Sequence, residues 1–344
     1  MQTVGIIGAG SFGTTLAKII SRNKKVLLYS RKQDVIDEIN TTHHHLGYAL
    51  RENVVATNDK QFITDSCSLL FGVVPSSSFR NMVRDFSPYL KASHIMIQAT
   101  KGLDVSGISE EDFKNLNFLR SDIYTMTEVI RQESNIVRVG CLSGPNLSKE
   151  ILSGQPAATV IASEFDEVIK LGQDTLSSNK FFVFGSNDLK AAEIAGSFKN
   201  IIAVASGILG GMGMGKNMQS LLITRGLREM IYFGNAMGTS EKAYLGVAGI
   251  GDLIATASSE DSRNYTFGKR LAQGEDRAHI LATSTEVIEG VRTLRIINQL
   301  AKTEKLILPI TQVLHKVIFE DLDMKRGLDI LMNDSYTVDV DFLK

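Results

Sequence analysis

The sequence predicts an α/β protein in two parts, a mostly parallel sheet domain over residues 1–188 and an all-helical domain over residues 189–344. Three observations predict it. Short apolar runs alternate with helical segments through the first half, the pattern of a parallel sheet covered on both faces. Beyond Asn187 almost every apolar residue recurs at helical spacing. A glycine-rich turn, Gly8-Ala9-Gly10-Ser11-Phe12-Gly13, joins the first apolar run to the first helical one.

The elements follow in order. Residues 3–7 form the first strand and residues 12–22 the first helix, with Leu16, Ala17, Ile19 and Ile20 on its apolar side. Residues 25–30 are the second strand; 67–74 are the third, stopped by Pro75. A helix over 78–91 leads to a fourth strand at 95–100, and 137–142, 158–163 and 181–184 are further strands. In the second half, Ile194, Phe198, Ile201, Ile202, Ala205, Ile208 and Leu209 make one buried helical stripe. Met218, Leu221, Leu222 and Met230 make the next, and helices over 241–257, 265–273, 287–303 and 310–320 complete this half.

The bulk numbers narrow the function classes. A chain of 344 residues has room for about two domains. With 43% hydrophobic and 22% charged residues it has the composition of an ordinary soluble protein. A net charge of −1 argues against nucleic-acid or anionic-membrane partners, which need clustered Lys and Arg. Cys67 and Cys141 are too few and too far apart for a disulfide framework or a zinc site, and read as buried small hydrophobes in a reducing, cytoplasmic setting. No signal-peptide pattern opens the chain, and no apolar run reaches the ~18 residues of a membrane span. No metal site and no membrane insertion are expected.

The glycine turn carries the first chemistry. Gly8 permits the tight turn, Gly10 lets the backbone approach a pyrophosphate, and Gly13 lets helix and strand pack closely. The helix start then offers N–H groups and a positive dipole end to phosphates. The first domain is therefore Rossmann-type and binds a nicotinamide or flavin dinucleotide. At the end of the second strand stands Ser30-Arg31-Lys32, where a strict NAD enzyme places a carboxylate for the ribose hydroxyls. Arg and Lys attract a 2′-phosphate, so NADP(H) is preferred and NAD(H) remains admissible; the alternative is that Arg31 stacks on adenine and discriminates little.

Lys199 is the most unusual charge of the helical half. Its helical neighbours Ala195, Ile202, Ala203 and Ser206 are small or apolar, so its ammonium is partly desolvated, which lowers its pKa toward that of a general acid/base. The alternative is a snorkelling lysine at a domain interface. Gly249-Ile250-Gly251-Asp252 puts a carboxylate in an apolar segment. Ser262-Arg263-Asn264 reads as a helix cap or as a phosphate site of helix start plus arginine fork. In the first half, Ala99-Thr100-Lys101-Gly102 and Ser143-Gly144-Pro145-Asn146 leave strands at the end where parallel sheets bind ligands. His43-His44-His45 reads as a solvated loop and Gly211-Met212-Gly213-Met214-Gly215 as a flexible helix connection.

Taken together, these segments resemble the bacterial-type NAD(P)-dependent glycerol-3-phosphate dehydrogenases over nearly the whole chain. The specific parts are the glycine turn, Ala99-Thr100-Lys101-Gly102-Leu103, Gly144-Pro145, Lys199-Asn200-Ile201-Ile202-Ala203, Leu222-Ile223-Thr224-Arg225-Gly226-Leu227-Arg228-Glu229-Met230, Gly249-Ile250-Gly251-Asp252-Leu253 and Ser262-Arg263-Asn264. The resemblance implies interconversion of sn-glycerol 3-phosphate and dihydroxyacetone phosphate, in the direction that supplies phospholipid synthesis. It implies Lys199 as proton donor and acceptor, Lys101 as a contact of substrate and cofactor whose charge would further lower the pKa of Lys199, and Asp252 as the carboxylate orienting Lys199 or a hydroxyl. It places Ser262, Arg263 and Asn264 around the substrate, with Arg263 also reaching the cofactor. Gly144 and Asn146 would line the substrate side and Ser148 the cofactor side; Gly8, Gly10, Ser11, Phe12, Gly13, Arg31, Val287 and Glu289 match cofactor positions. Where many relatives carry Ser or Thr, Phe and Ala after Gly-Pro, this chain has Asn146, Leu147 and Ser148. The other readings kept open are a two-domain dehydrogenase for another 2-hydroxy or 2-oxo compound and a non-catalytic NADP(H)-binding sensor. A homodimer is compatible with the sequence.

Overall fold

The computed structural model describes residues 2–105, 118–284 and 287–333. They fall into two compact units, residues up to Asp104 with Thr125–Leu189, and Val105–Tyr124 with the chain from Lys190 onward. This grouping differs from a single cut after residue 188, since Val105 and residues 118–124 go with the helical unit. Arg120 shows why: its guanidinium pairs with Glu304 at 2.9 Å and donates to the Ala236 carbonyl, both in that unit.

The first unit runs β1 (Thr3–Ile7), α1 (Ser11–Ile20), β2 (Lys25–Tyr29), α2 (Gln33–Thr42), β3 (His44–His45), β4 (Tyr48–Ala49), β5 (Val54–Thr57), α3 (Lys60–Ser66), β6 (Leu69–Gly72), α4 (Ser76–Phe86) and β7 (Ile95–Gln98). The two-residue strands β8 (Asp104–Val105) and β9 (Ile123–Tyr124) pair with each other. Then follow α5 (Met126–Glu133), β10 (Arg138–Ser143), α6 (Ser148–Leu152), β11 (Ala157–Ala162), α7 (Asp166–Leu176) and β12 (Phe181–Ser186). Eight strands form one sheet in the order β12-β11-β10-β7-β6-β1-β2-β5. Every pair is parallel except β10 with β11. Its strands carry continuous apolar runs because both faces are covered; Val4, Ile6, Leu28, Phe71 and Ile97 are all but sealed from solvent.

Strand order decides where a ligand goes. From β1 the chain moves to β2 on one side and later to β6 on the other, so the carboxyl ends of β1 and β6 flank a topological switch point. Ile7 is in register with Tyr29 and with Gly72, which sets the glycine turn above that crevice.

The second unit holds α8 (Leu189–Gly211), α9 (Lys216–Ala236), α10 (Asp252–Ala257), α11 (Arg263–Ala272), α12 (Arg277–Thr283), α13 (Glu289–Glu304), α14 (Pro309–Phe319) and α15 (Met324–Met332). By length and composition α8 could cross a membrane, but 89% of its apolar window is buried inside the protein. The helix expected over 241–257 is broken into a 3₁₀ turn at Lys242–Leu245, a π turn at Val247–Gly251 and then α10. The turn is tight: a Cβ on Gly249 would stand 2.1 Å from the Tyr244 carbonyl oxygen, so glycine is needed there. Wide π turns often mark functional positions, and this one ends at Asp252.

Candidate functional site

The glycine turn is built as its spacing requires. Gly8 has φ +122°, and a Cβ there would meet the Val73 carbonyl oxygen at 2.2 Å. A Cβ on Gly13 would lie 1.8 Å from the Gly8 oxygen, so only glycine lets α1 sit this close to β1. Gly10 faces open space, with nothing within 4 Å of its added Cβ. No side chain caps α1 and no acid stands in its first turn, so the positive end of its dipole is not neutralised by the chain itself. Ser11 and Phe12 open that helix, each half-buried. An uncapped helix start behind a glycine with open space beside it fits the pyrophosphate of a dinucleotide. We expect Gly10→Ala to leave the melting temperature near wild type while weakening dinucleotide binding by at least tenfold, read by titrating the fluorescence of the reduced cofactor. Unchanged affinity would move the pyrophosphate away from this turn. Arg31 is exposed beyond β2, where the Ser30 hydroxyl oxygen accepts the Lys32 N–H at 3.2 Å.

Further along the sheet edge, the Lys101 ammonium donates to the Gly144 carbonyl at 2.7 Å. Gly144 has φ +147° and its Cβ position is 3.0 Å from the Thr159 Cα, so the Gly-Pro step needs its glycine. Asn146 donates to the Thr159 hydroxyl at 2.9 Å, and that hydroxyl donates to the Ser143 carbonyl at 3.1 Å. Among the described residues, Asn146 Oδ1 and Ser143 Oγ are buried without a hydrogen-bond partner. Buried polar atoms left this way are costly and point to a missing donor. Ser148 begins α6. Behind Lys101, the buried Arg80 guanidinium bonds Asp104 and Gln132 at 2.8 and 2.9 Å and pairs with Glu133, which anchors the segment after Lys101 to α4 and α5. Arg84 holds the Glu133 carboxyl below its ordinary range. Nothing in the sequence pattern singles out Arg80 or Thr159.

In the helical unit the chain brings Lys199 and Asp252 together across 53 residues. Lys199 is 4% exposed and Asp252 0%. The ammonium pairs with Asp252 Oδ1 and donates to Thr256 Oγ1 at 2.5 Å, while the Thr256 hydroxyl donates to the Asp252 carbonyl at 2.7 Å. The hydroxyl proton is thus turned away and a lone pair faces the lysine. Lys199 is enclosed, ion-paired and held by the Asp252 and Thr256 side chains of α10. A fully buried ion pair gains little net stability over apolar packing, which makes this one a candidate for chemistry.

Small residues set α11 beside it. A Cβ on Gly207 would lie 2.0 Å from the Tyr265 oxygen, and one on Gly268 2.1 Å from the Val204 oxygen, so α8 and α11 cross backbone to backbone. That approach lets Asn264 donate to Asn200 Oδ1 at 2.9 Å and accept the Gly290 N–H at 2.9 Å. Ser262 is the N-cap of α11, accepting the Tyr265 N–H at 3.3 Å. Arg263 is exposed and its guanidinium donates to the Val287 carbonyl at 3.3 Å. Val287 is exposed, and Glu289 is the half-buried first residue of α13.

The histidine triplet is not a solvated loop: His44 is exposed, but His45 is 5% exposed and bonded at both ring nitrogens, because β3 pairs with β4 and folds it inward. Among the described residues, no group of three or more His, Cys, Asp or Glu could hold a metal. Both cysteines are buried, and burial pushes the Cys67 thiol up to about 12.

A dinucleotide turn at the switch point of a parallel sheet, in a chain that continues into a helical unit, defines the class of NAD(P)-dependent oxidoreductases. Comparison with known proteins names the branch. The model of the NAD-dependent glycerol-3-phosphate dehydrogenase N-terminus matches residues 3–169, and that of the C-terminus matches residues 188–329. The chain belongs to the NAD-dependent glycerol-3-phosphate dehydrogenase family. It is 35% identical to the glycerol-3-phosphate dehydrogenase [NAD(P)+] of Saccharophagus degradans, over 98% of this chain and 92% of that protein. It is likewise 35% identical to that of Staphylococcus aureus, over 96% and 98%. The crystal structure of glycerol-3-phosphate dehydrogenase from Coxiella burnetii superposes with a TM-score of 0.86 at 29% identity, covering 96% of this chain and 99% of that one. A ketopantoate reductase from Ralstonia eutropha, at 15% identity and a TM-score of 0.57, shares the fold alone.

Proposed function

We propose that this chain interconverts sn-glycerol 3-phosphate and dihydroxyacetone phosphate, with NADP(H) preferred and NAD(H) accepted. The observation that carries the reading is the buried Lys199–Asp252 pair. Asp252 holds the Lys199 ammonium in place, from where it would give a proton to the C2 oxygen of dihydroxyacetone phosphate as C2 gains a hydride. In the reverse direction the neutral amine takes the C2 hydroxyl proton. The nicotinamide supplies or accepts the hydride; the protein supplies the proton and the charge. Lys101, held on the Gly144 carbonyl, adds a second cation for substrate and cofactor. Gly144 and Asn146 line the substrate side, where the unpartnered Asn146 Oδ1 suits a substrate hydroxyl, and Ser148 serves the cofactor side.

The α11 start takes the phosphate. Ser262 caps it, Arg263 offers a guanidinium fork for dianion and cofactor, and Asn264 is fixed between Asn200 and Gly290. Gly8, Gly10, Ser11, Phe12, Gly13 and Arg31 hold the dinucleotide, with Val287 and Glu289 as further contacts. The family resemblance points to the reductive direction, which fits supply of glycerol 3-phosphate for phospholipid synthesis by a cytoplasmic enzyme, and a homodimer is compatible with it. The domain plan is a dinucleotide domain within 1–188 and a substrate domain over 189–344, with Val105 and residues 118–124 grouped with the latter.

The cofactor arm of this proposal is tested by kcat/KM for NADPH and NADH in dihydroxyacetone phosphate reduction, in wild type and Arg31→Ala. Wild type should favour NADPH and the variant should lose that preference. Equal values in wild type would contradict it.

A further inference from the structure

We infer that His45 is a proton-linked positioning residue for the dinucleotide turn, so that its ionisation tunes cofactor affinity. The inference rests on the reading of Gly8–Gly13 as the pyrophosphate turn. His45 Nε2 lies 3.0 Å from the carbonyl oxygen of Ala9, the residue between the first two glycines of that turn. Its Nδ1 lies 2.7 Å from Glu38 Oε2. A peptide carbonyl only accepts, and so does a carboxylate, so both ring nitrogens must donate for both contacts to be made. Only the imidazolium does that; a neutral ring satisfies one partner and turns a lone pair on the other. Histidine is the side chain whose ordinary titration falls in the physiological range.

The surroundings fit the role. Glu38 comes from α2, with its side chain 46% exposed, and meets the His45 ring at 2.7 Å. Tyr48 faces His45 across the β3–β4 pair, and the Lys18 ammonium of α1 sits 5.5 Å from the centre of the Tyr48 ring. His44 is turned outward onto the Thr42 carbonyl at 2.8 Å. One carboxylate therefore touches the ring directly, and one ammonium lies farther off behind Tyr48. When His45 is protonated, it fixes the Ala9 carbonyl and places a positive charge beside a turn that takes a dianionic pyrophosphate. When it is neutral, both effects weaken.

NADH is the probe of choice, because it carries no 2′-phosphate to titrate in the same range. Its dissociation constant is measured by fluorescence from pH 5.5 to 8.5 for wild type, His45→Phe, His45→Gln and Glu38→Gln, with melting temperature followed at each pH. Wild-type affinity should fall by about 3- to 10-fold across the range, the span of one ordinary net hydrogen bond. His45→Phe and His45→Gln should bind more weakly at low pH and show a flat profile. Glu38→Gln should reduce the fall in affinity across the range, because the ring loses its carboxylate partner. A purely structural histidine would lower affinity equally at every pH and leave the slope in place; equal slopes in wild type and both His45 variants overturn the inference. A wild type that binds no NADH at any pH contradicts the dinucleotide reading itself.

Discussion

Lys199→Ala lowers kcat by about 10²–10⁴, the usual cost of losing a general acid/base, while NADPH affinity stays within a few-fold of wild type. The two effects separate because the dinucleotide turn and Lys199 are built in different units. Loss of the ammonium also removes the cation paired with Asp252, whose carboxylate is fully buried. Breaking one side of a buried pair costs about 3–5 kcal/mol, so the single variant is destabilised as well as inactive. The double variant Lys199→Met/Asp252→Asn removes the stranded charge. It should recover most of the lost stability and none of the lost rate. Stopped-flow reduction of dihydroxyacetone phosphate beside urea unfolding reads both. Recovery of rate with stability would make the pair structural and remove Lys199 from the chemistry.

Glu229→Ala destabilises the helical unit by about 2–4 kcal/mol, because it leaves buried backbone donors unpaired. Glu229 lies on α9, 3% exposed, and accepts the N–H groups of Ile310 at 2.5 Å and Thr311 at 3.2 Å and the Thr311 hydroxyl at 2.9 Å. It therefore caps α14 from another helix, at a start where Pro309 has no N–H to offer. Burial pushes its carboxyl up to about 7, with the bonds to Ile310 and Thr311 and the charge of Arg228 opposing. The folded pKa lies above the ordinary 4.5, so the folded state binds the proton more tightly. The matching stability is fully present below that ordinary value and is lost as pH rises through about 7. Glu229→Gln keeps an acceptor for the helix start and cannot ionise. Its unfolding free energy should stay flatter than wild type between pH 5 and 8, as urea titrations would show. An identical slope would assign the pH dependence to other groups.

How much of this is legible in the sequence varies by element. β1, β2, β6 and β7 are readable because strands buried on both faces are unbroken apolar runs, and glycine or proline ends several of them. α2 is not, because only Ile36 and Ile39 are buried among its ten residues, too few to set a period. The reversed direction of β11 leaves no mark in its residues, since burial on both faces looks alike in either direction. α15 presents one buried residue, Gly327, and has no apolar stripe to read.

The candidate site divides the same way. The glycine spacing is local, so the turn can be read from six consecutive residues. Lys199 and Asp252 each stand out as charges in apolar helical stretches, but their pairing and the Thr256 hydroxyl beneath them depend on how α8 and α10 pack. No local motif marks Thr159, Arg80 or His45 as part of a site. Their roles come from partners 16, 24 and 36 residues away. His45 shows the limit most sharply: three adjacent histidines look like one solvated feature until a two-residue strand turns one of them inward.

The most direct test is oxidation of NADPH at 340 nm by the purified full chain, with dihydroxyacetone phosphate compared against dihydroxyacetone. Rapid, saturable oxidation is expected with the phosphorylated ketone, sn-glycerol 3-phosphate as product, and little with the unphosphorylated one. No oxidation of NADPH or NADH with dihydroxyacetone phosphate would contradict the proposed reaction.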